Sequence, residues 1–570
     1  MTERSTLQRT QSGVAQRAVV IGSGFGGLAT AIRLQAAGHP TTLLEARERA
    51  GGRAYQLQDG GYTFDMGPTL ITAPHLLHDL WATMGRRVED DLDLRELSPY
   101  YRIVFRDGRH FDYGVSPEAD EAEVARFNPD DVAGLRAFLE RTELIYRRAF
   151  DDLAGQPFDR FSTFMSVVPD LVRLGAQRSV YALVSDYIKD PYLRMVFSFH
   201  PLFIGGNPLR ASAIYSIVPF LERQGGVHFA MGGMYSVVEA MAQRFTAMGG
   251  ELRTGEAVAK VLNGRHGVTG VRMAGGDTLP ADIVVANSDV TTTARNLLPA
   301  QALGRLQRMR LPRMRYSMSC FLLYLGLDRQ YPQLRHHTIL MPDDYTGLLH
   351  HLFDGEGLPE ELAIYLHTPT RTDPSLAPDG GESMYALVPV PHLGHGIDWA
   401  REAQPFRDRI IAYLEHEFGL EGLEASIRVE HRFTPIDFQN DLAAWQGSAF
   451  SIEPTLFQSA WFRPHNRTAL PGLYLVGAGT HPGAGLPGVL LSADITSGLV
   501  CDDFPPPPAP APLSSAPTVT RGGAAAGVAT DDATPPNLTA TEIHAGDLVH
   551  AVVEASVPLP LQDAVRSRDG

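Results

Sequence analysis

A glycine-rich turn near the N-terminus carries the spacing of a dinucleotide-binding site. It reads Gly22-Ser-Gly24-Phe-Gly-Gly27 and lies between an apolar run at 17–21 and an Ala- and Leu-rich run at 28–38. Glu45 ends the next apolar run, 41–44. A βαβ nucleotide site consists of a strand, a glycine turn, a helix and an acidic residue after the second strand. The alternative is a tight βα turn with no ligand.

Each of these residue types has a physical role in such a site. Gly22 permits the tight turn, Gly24 lets the backbone approach a pyrophosphate, and Gly27 lets the helix pack closely on the strand. The start of the helix attracts the negative phosphates. Glu45 would bind a ribose hydroxyl, and its charge disfavours the 2′-phosphate of NADP.

The segment after the second strand indicates which nucleotide is bound. Gly51-Gly52-Arg53 is a second glycine turn that carries an arginine, which suits a longer cofactor with a flavin beyond the pyrophosphate. Arg53 would be a fixed cation for phosphate, or it could be a solvated arginine on a surface turn. The nearby Asp65-Met-Gly67-Pro68-Thr69 can equally be a plain β-turn.

A second glycine-rich turn lies close to the C-terminal end of the predicted folded region. It runs from Gly477 to Gly488 and joins an apolar strand to a helix that begins with small residues. Such a helix start presents free N–H groups and the positive end of the helix dipole. These groups would stabilise the negative charge that a flavin gathers when it accepts a hydride. The alternative is a glycine-rich bend beside a sheet.

Composition excludes several classes of protein. The chain has 570 residues, enough for two or three domains, and its net charge of −16 argues against nucleic acid as a partner. Two cysteines, Cys320 and Cys501, form no pattern and indicate a reducing compartment. The first 16 residues lack an apolar core, so we expect no signal peptide. Without an uninterrupted apolar run of about 18 residues, we expect no membrane span.

The remaining elements are read from periodicity and turn residues. Residues 101–113 predict a hairpin around Asp107-Gly108. Residues 130–225 are mainly helical and rich in large apolar side chains, which suits either a helical core or a surface that faces a membrane. Further strands are predicted at 258–262, 268–273, 281–286, 320–327, 362–367, 384–390 and 471–477, with helices near 405–418 and 487–500.

Beyond these motifs the chain resembles a known family. Residues 20–53 resemble the flavin-containing amine oxidoreductase superfamily, and within it the chain resembles bacterial and fungal-type phytoene desaturases. The second resemblance is carried by the segments 64–69, 197–208, 232–234, 286–289, 446–450, 460–465 and 477–488. It covers residues 17–503, and its motif at 477–488 is specific to carotenoid desaturases and their near relatives.

The resemblance implies an α/β fold. It has a Rossmann-like FAD-binding domain, a second sheet-containing substrate domain and a helical, membrane-facing subdomain at about 130–225. The FAD-binding domain would comprise 17–95, 226–300 and 470–503, and the substrate domain 96–225 and 301–469. Residues 1–16 are predicted to be a disordered leader. Residues 504–570, rich in Pro, Ala, Thr and Gly, are predicted to be a disordered tail.

The resemblance also implies a cofactor and the residues that hold it. FAD takes a hydride from phytoene, an apolar C40 carotenoid, a proton leaves from the neighbouring carbon, and lycopene forms by successive steps. The adenosine and pyrophosphate would be held by Gly22, Gly24, Phe25, Gly26, Gly27, Glu45, Ala46, Gly52, Arg53 and the backbone at Val258. The isoalloxazine would lie against Pro68, Thr69, Gly479, Leu486, Pro487, Gly488 and Val489.

The acid–base residues of some relatives have no counterpart at the matching positions of this chain. Some relatives carry an Asp-x-x-Arg pair where this chain has Thr163 and Ser166. His200 and His481 are weak candidates for catalytic residues, and each is also typical of a hydrogen-bonded structural histidine. The pairs His336-His337 and His350-His351 suggest a metal only superficially, because neighbouring side chains on a strand point to opposite faces. We therefore expect no metal.

Other functions remain open at this stage. The chain could act on a later carotenoid as a 3,4-desaturase or ketolase, or isomerise a carotenoid with reduced flavin and no net electron transfer. It could also carry a carotenoid without turnover. The resemblance further implies a membrane lipid surface and an external electron acceptor, quinone or oxygen, as partners. The expected location is cytoplasmic, peripheral on the inner face of the cell membrane.

Overall fold

The computed structural model describes residues 14–506. The predicted leader lies outside the described residues except for 14–16, and the predicted tail except for 504–506.

Runs of strands and runs of helices follow one another along the described chain. The strands are β1 (Ala18–Ile21), β2 (Thr41–Leu44), β3 (Gln56–Asp59), β4 (Tyr62–Asp65), β5 (Leu94–Glu96), β6 (Tyr101–Val104), β7 (His110–Tyr113), β8 (His228–Ala230), β9 (Glu251–Arg253), β10 (Val258–Asn263), β11 (Val268–Met273), β12 (Thr278–Pro280), β13 (Ile283–Ala286), β14 (Ser319–Leu327), β15 (His337–Leu340), β16 (Ile364–His367), β17 (Glu382–Val390), β18 (Ile427–Phe433) and β19 (Leu473–Leu475). The helices are α1 (Phe25–Ala36), α2 (Pro74–Thr83), α3 (Pro117–Phe127), α4 (Asp131–Tyr146), α5 (Phe161–Arg173), α6 (Val180–Tyr187), α7 (Pro191–Ser198), α8 (Val218–Gly225), α9 (Met234–Ala247), α10 (Val290–Asn296), α11 (Arg305–Arg310), α12 (Tyr345–Asp354), α13 (Trp399–His416), α14 (Leu423–Ser426), α15 (Pro435–Leu442) and α16 (Leu486–Asp503).

A five-stranded parallel sheet gathers segments from distant parts of the chain. Its strand order is β19-β13-β1-β2-β9, and every pairing is parallel. Consecutive residues of β1 and β13 alternate between two buried clusters, as expected for a sheet covered on both faces. Helices α1, α9 and α16 cover one face, and the meander β10-β11-β12 with α10 covers the other. This is the Rossmann-like fold that the sequence predicts.

Helix α1 begins three residues earlier than its sequence pattern suggests. Gly24 is its N-cap with an extended backbone, so Phe25, Gly26 and Gly27 belong to the first turn of the helix rather than to the loop. Cap geometry, not apolar spacing, determines where a helix starts, and spacing alone places such boundaries only to within a few residues. The glycine turn is consequently shorter than predicted, and the helix start lies closer to the end of β1.

A mixed seven-stranded sheet forms the second layer, in the order β18-β14-β17-β16-β15-β6-β7. The hairpin predicted at 101–113 is confirmed as β6 and β7, and it joins this sheet through a parallel pairing with β15. Strands β14 and β17 pair along nine residues, from Ser319↔Val390 to Leu327↔Glu382. The sheet therefore combines the predicted hairpin with the predicted strands of 320–390.

Helices α4 to α8 occupy the region predicted to be helical, 130–225. Most apolar residues of α4, α6 and α7 are buried against β6, β7 and α12, whereas Leu221 of α8 packs in the cluster of the parallel sheet. Helix α5 differs, because Phe161 and Met165 are exposed on its surface. In the described part of the chain, no helix combines the length and apolar character needed to cross a membrane.

Candidate functional site

The first glycine turn is closed by its own backbone. Gly22 has a φ of +92°, which L side chains rarely adopt. A Cβ at Gly27 would lie 1.9 Å from the carbonyl oxygen of Gly22, so only glycine lets α1 pack on the end of β1. Gly24 has an ordinary φ of −64°, and a Cβ there would meet Asn287 Nδ2 at 3.3 Å. These contacts agree with the turn and packing roles expected for Gly22 and Gly27.

Asn287 is a structural residue of this turn whose role the sequence reasoning missed. Its Nδ2 donates to the carbonyl oxygens of Gly22 (3.1 Å) and Gly24 (3.4 Å). A Cβ at Gly26 or Gly477 would lie 2.8 or 2.6 Å from Asn287 Oδ1. One side chain directly after β13 thus hydrogen-bonds the first glycine turn and lies close against Gly477 of the second. The signal in the sequence is that Asn287 directly follows a buried strand of the parallel sheet, where ligand sites form.

Glu45 lies at the end of β2, buried beside the first turn. Its Oε2 accepts hydrogen bonds from Ser23 N (2.9 Å) and Ser23 Oγ (2.6 Å), and Oε1 accepts from Arg47 N (3.0 Å). Glu256 N donates to the carbonyl oxygen of Glu45, so the segment that leads into Val258 lies at the same edge. Ala46 is exposed there. The protein itself orients the carboxylate that we expect to bind a ribose.

Arg53 lies beside the first glycine turn. Gly51 forms a parallel bridge with Gly24, and a Cβ at Gly52 would lie 3.1 Å from the Cα of Gly24. The Nε and Nη2 atoms of Arg53 are buried and lack a hydrogen-bond partner among residues 14–506. Burial lowers the pKa of Arg53, and the charge of Asp289 opposes that shift. A buried guanidinium with free N–H groups is suited to bind an anion.

The second glycine turn brings the start of α16 to the same region. Gly485 is the N-cap with a φ of +90°, and its Cβ would touch Ile204 Cγ2 at 3.0 Å. A Cβ at Gly488 would lie 2.6 Å from the carbonyl oxygen of Gly483, so the turn is tightly folded. Among residues 14–506, no side chain caps this helix or α1. Both helix starts therefore present backbone N–H groups to a ligand. Leu486, Pro487 and Val489 belong to the first turn of α16, and a Cβ at Gly479 would lie 2.6 Å from Val290 Cγ1.

The loop with Pro68 and Thr69 connects the cofactor region to the second sheet. Thr69 Oγ1 is 2.6 Å from the hydroxyl of Tyr365 in β16. Asp65, at the start of this loop, accepts a hydrogen bond from Met234 N (2.9 Å) at the start of α9. Burial raises the pKa of Asp65 to about 7, against the opposing effect of the backbone N–H groups of α9.

These residues fit an elongated dinucleotide. The fit rests on the glycine contacts at Gly22 and Gly27, the unpartnered guanidinium of Arg53 and two helix starts without side-chain caps. The pyrophosphate would be held by the start of α1 and by Arg53, and a ribose by Glu45. The ring system would lie between Thr69 and the start of α16.

His200 is buried in a cluster with Glu222 and Tyr101. Its Nε2 is 3.4 Å from Glu222 Oε2, and the hydroxyl of Tyr101 donates to Glu222 Oε1 at 2.6 Å. Both ring nitrogens lack a hydrogen-bond partner in the described chain. His200 therefore contacts the carboxylate of Glu222, to which Tyr101 also donates.

His481 lies in the second glycine turn and is also buried. Burial, with the nearby charge of Arg463, lowers its pKa to about 3, so the ring is neutral at physiological pH. The backbone of Gln156 opposes that shift, and the ring packs edge-on against Phe158 at 5.1 Å. Thr163 and Ser166, where some relatives carry the acid–base pair, lie on α5, where the Ser166 hydroxyl donates to the Thr163 carbonyl oxygen.

The expectation that His336 and His337 point to opposite faces of a strand is wrong. His336 precedes the first residue of β15, so the alternation of a strand does not apply to it, and its ring lies 4.5 Å from that of His337. His367 is directly opposite His337 across β15 and β16. One ring nitrogen from each of the three lies within 4.8 Å of the others, a spacing that could hold a metal ion. His350 and His351 lie on α12, not on a strand.

Comparisons with known proteins agree with this architecture. The model of a family described as flavin containing amine oxidoreductase matches residues 25–501. A phytoene desaturase (lycopene-forming) of Pseudescherichia vulneris is 46% identical over 86% of this chain and 100% of its own length. One from a Paracoccus strain is 46% identical over 86% and 99%. The crystal structure of an oxidoreductase from Methanosarcina mazei shares the fold, with a TM-score of 0.58, 18% identity and coverage of 84% and 98%.

Proposed function

The chain belongs to the flavin containing amine oxidoreductase family, and from that premise we propose that it is an FAD-dependent carotenoid desaturase that converts phytoene to lycopene. The observation that carries this proposal is the similarity to a lycopene-forming phytoene desaturase over that relative's entire length. Phytoene gains conjugated double bonds by successive dehydrogenations of CH–CH bonds. The cofactor is FAD, which when bound supplies an acceptor for the hydride lost at each step.

The protein contributes binding, orientation and a dry interior. Arg53 and the start of α1 would neutralise the pyrophosphate, and Glu45 would orient the ribose. The N–H groups at the start of α16 would stabilise negative charge at the flavin edge. Since these donors are fixed by tight glycine turns, they need no reorganisation during the reaction.

The interior beside the second turn suits an apolar, unsaturated substrate. Phe203 packs on Tyr101 (5.6 Å between ring centroids), Phe199 (5.2 Å) and Tyr365 (6.4 Å). Ile204, the next residue, is the one that Gly485 approaches. Aromatic walls next to the expected flavin position exclude water and can pack along a polyene. This placement supports a C40 carotenoid as the substrate.

We propose that substrate enters from a membrane surface to which the protein binds peripherally. Phe161 on α5 packs on Trp461 at 5.6 Å, and the exposed Phe457 packs on Phe462 at 5.7 Å. Helix α11 lies beside them, because Arg310 donates to the carbonyl oxygen of Phe457 at 2.8 Å. It exposes Leu306 and Met309 between arginines. Exposed apolar side chains beside arginines are typical of a surface that binds anionic lipid.

Flotation with liposomes tests the membrane proposal. The parent protein should float with vesicles of anionic lipid, and the double variant Phe161→Glu/Met165→Glu should float much less. Val115→Glu is the control, since Val115 is exposed and apolar but belongs to neither segment. Equal flotation of the parent and the double variant would contradict the proposed surface.

The activity is tested with phytoene-loaded liposomes, FAD and an external acceptor, followed by chromatography of the pigments. We expect lycopene with either quinone or oxygen as the acceptor. Product from lycopene but none from phytoene would identify a later-acting 3,4-desaturase or ketolase. A changed double-bond geometry without consumption of acceptor would identify an isomerase. Binding of phytoene without any product would identify a carrier.

A further inference from the structure

A chain of short hydrogen bonds starts at the loop that we place against the flavin. Thr69 Oγ1 and the hydroxyl of Tyr365 are 2.6 Å apart, and that hydroxyl is 2.6 Å from His337 Nδ1. Each contact is short for its type, and each joins groups that can both donate and accept a proton. The chain therefore connects the expected cofactor position to the buried histidines of the second sheet.

The histidines continue this chain towards solvent. His367 is the cross-strand partner of His337, and their rings are stacked with centroids 5.2 Å apart. His367 Nε2 is 3.2 Å from His336 Nε2, and His336 Nδ1 is 2.6 Å from Thr372 Oγ1. Thr372 is partly exposed, whereas the three histidines are buried. The sequence of contacts thus runs from the interior to the surface.

The reaction creates a need for such a path. Each new double bond removes two hydrogens from neighbouring carbons. One leaves as a hydride with its electron pair to the FAD that oxidises the substrate. The other leaves as a proton, and the electrons of its C–H bond become the new π bond. That proton is released among apolar and aromatic side chains, where an isolated charge is strongly disfavoured.

We propose that Thr69, Tyr365, His337, His367, His336 and Thr372 form a proton path from the flavin site to solvent. The proposal rests on the desaturase function and deepens it, because Thr163 and Ser166 supply no ionisable group at the position where some relatives have one. A proton accepted at the Tyr365 end is passed from one group to the next and leaves at Thr372.

The chemistry of the three histidines suits the transfer of a proton rather than its storage. Burial lowers the pKa of His336 to about 3 and holds the pKa values of His337 and His367 well below their usual range. The rings are therefore neutral at rest and do not retain a proton. Within the described chain, His337 Nε2 and His367 Nδ1 have no partner. The described residues include no hydrogen bond between the stacked rings of His337 and His367, and the proposed path crosses there through these nitrogens when one ring reorients.

Charge favours a proton path over a metal site at the same histidines. A divalent cation would bring two positive charges, yet no carboxylate in residues 14–506 forms an ion pair with any of the three rings. Their surroundings are the hydroxyls of Tyr365 and Thr372 and the rings of Phe229 (4.7 Å from His336) and Tyr385 (6.2 Å from His367). A single proton in transit needs less compensation than a resident dication.

The test measures proton release separately from flavin reduction. The FAD-loaded protein is mixed anaerobically with phytoene in weakly buffered solution that contains a pH indicator. Flavin bleaching and indicator colour are followed together, and the flavin-to-protein ratio is measured for every variant. In the parent, the proton should appear at the rate of bleaching. In Tyr365→Phe, which removes the central hydroxyl, proton release should be slower than bleaching by about tenfold or more.

Two further comparisons separate a path from a structural role. Tyr324→Phe is the matched control, because Tyr324 is a buried tyrosine of the same sheet whose hydroxyl has no partner among the described residues. It should release protons as the parent does. At the surface end, Thr372→Val should delay proton release, and Thr372→Ser, which keeps the hydroxyl, should restore it.

Several outcomes would overturn the proposal. Proton release that keeps pace with bleaching in both Tyr365→Phe and Thr372→Val would refute the path. Stoichiometric divalent metal in the purified parent, absent from His367→Gln, would identify a metal site instead. If phytoene does not bleach the flavin of the parent at all, the desaturase function is refuted and the path with it.

Discussion

Replacing Gly27 with alanine tests the packing that creates the cofactor site. The added methyl group would lie 1.9 Å from the carbonyl oxygen of Gly22 and 2.8 Å from Asn287 Nδ2. Ordinary contact begins near 3.4 Å, so the start of α1 must move by about 1.5 Å, or the turn must open. The obstacle at Gly22 is backbone, which cannot rotate away as a side chain could.

The expected cost has two parts. Overpacking of this kind typically destabilises a fold by about 1–3 kcal/mol, which exceeds the gain of about 1 kcal/mol from alanine in a helix. Displacement of the N–H groups at the start of α1 also weakens pyrophosphate binding. Loss of one hydrogen bond to a charged group, about 1.5–3 kcal/mol, corresponds to a tenfold to hundredfold weaker affinity for FAD.

Two measurements check this prediction. FAD affinity is obtained by titrating the apoprotein and following flavin fluorescence, and stability by thermal unfolding. The control is Gly498→Ala on α16, where a Cβ meets nothing within 4 Å, so FAD affinity should be unchanged and stability equal or slightly higher. A Gly27→Ala protein with parental affinity for FAD and parental unfolding temperature would refute the reasoning.

Three other substitutions have defined outcomes. Gly488→Leu places a side chain 2.6 Å from the Gly483 carbonyl oxygen. It should slow anaerobic flavin bleaching by phytoene about a hundredfold while FAD stays bound. Bleaching at the parental rate would contradict the role of this helix start. Arg53→Gln should weaken FAD binding about tenfold or more in fluorescence titrations, because it removes the buried cation; unchanged affinity would argue against a phosphate contact. Asp65→Asn should stabilise the protein more at pH 8 than at pH 5. The folded-state pKa of Asp65 is raised to about 7, so the parent loses up to about 4 kcal/mol of stability as pH rises from about 4 to 7, and asparagine does not. Unfolding temperatures at both pH values measure this, and a pH-independent difference would refute it.

Much of the nucleotide-binding fold was predictable because its determinants are local. The apolar strand at 18–21, the turn from Gly22 and the acidic Glu45 are separated by short, characteristic distances in the chain. The hairpin at 101–113 was likewise predicted from its alternation and its Asp-Gly turn, and the structure confirms it. Such features depend on backbone sterics and on the periodicity of apolar residues, both of which can be read from neighbouring residues.

The resemblance to phytoene desaturases predicted more of the function than the residue pattern did. The glycine turns predicted a flavin, and no spacing in the chain identified a carotenoid. From the sequence, the helical region at 130–225 could be either a buried helical core or a membrane-facing surface. The structure buries most of it, and it exposes Phe161 and Met165 on α5.

By itself, the sequence determined the cofactor class, because glycine turns, helix starts and an acidic residue act through short-range geometry. Only the tertiary structure decided which distant residues share the site. Asn287 reaches both glycine turns because β13 lies next to β1 and β19 in the parallel sheet. His337, His367 and Tyr365 meet because β15 and β16 pair in one particular register. Register depends on the packing of whole sheets, and a shift of one residue would turn these side chains to the opposite face.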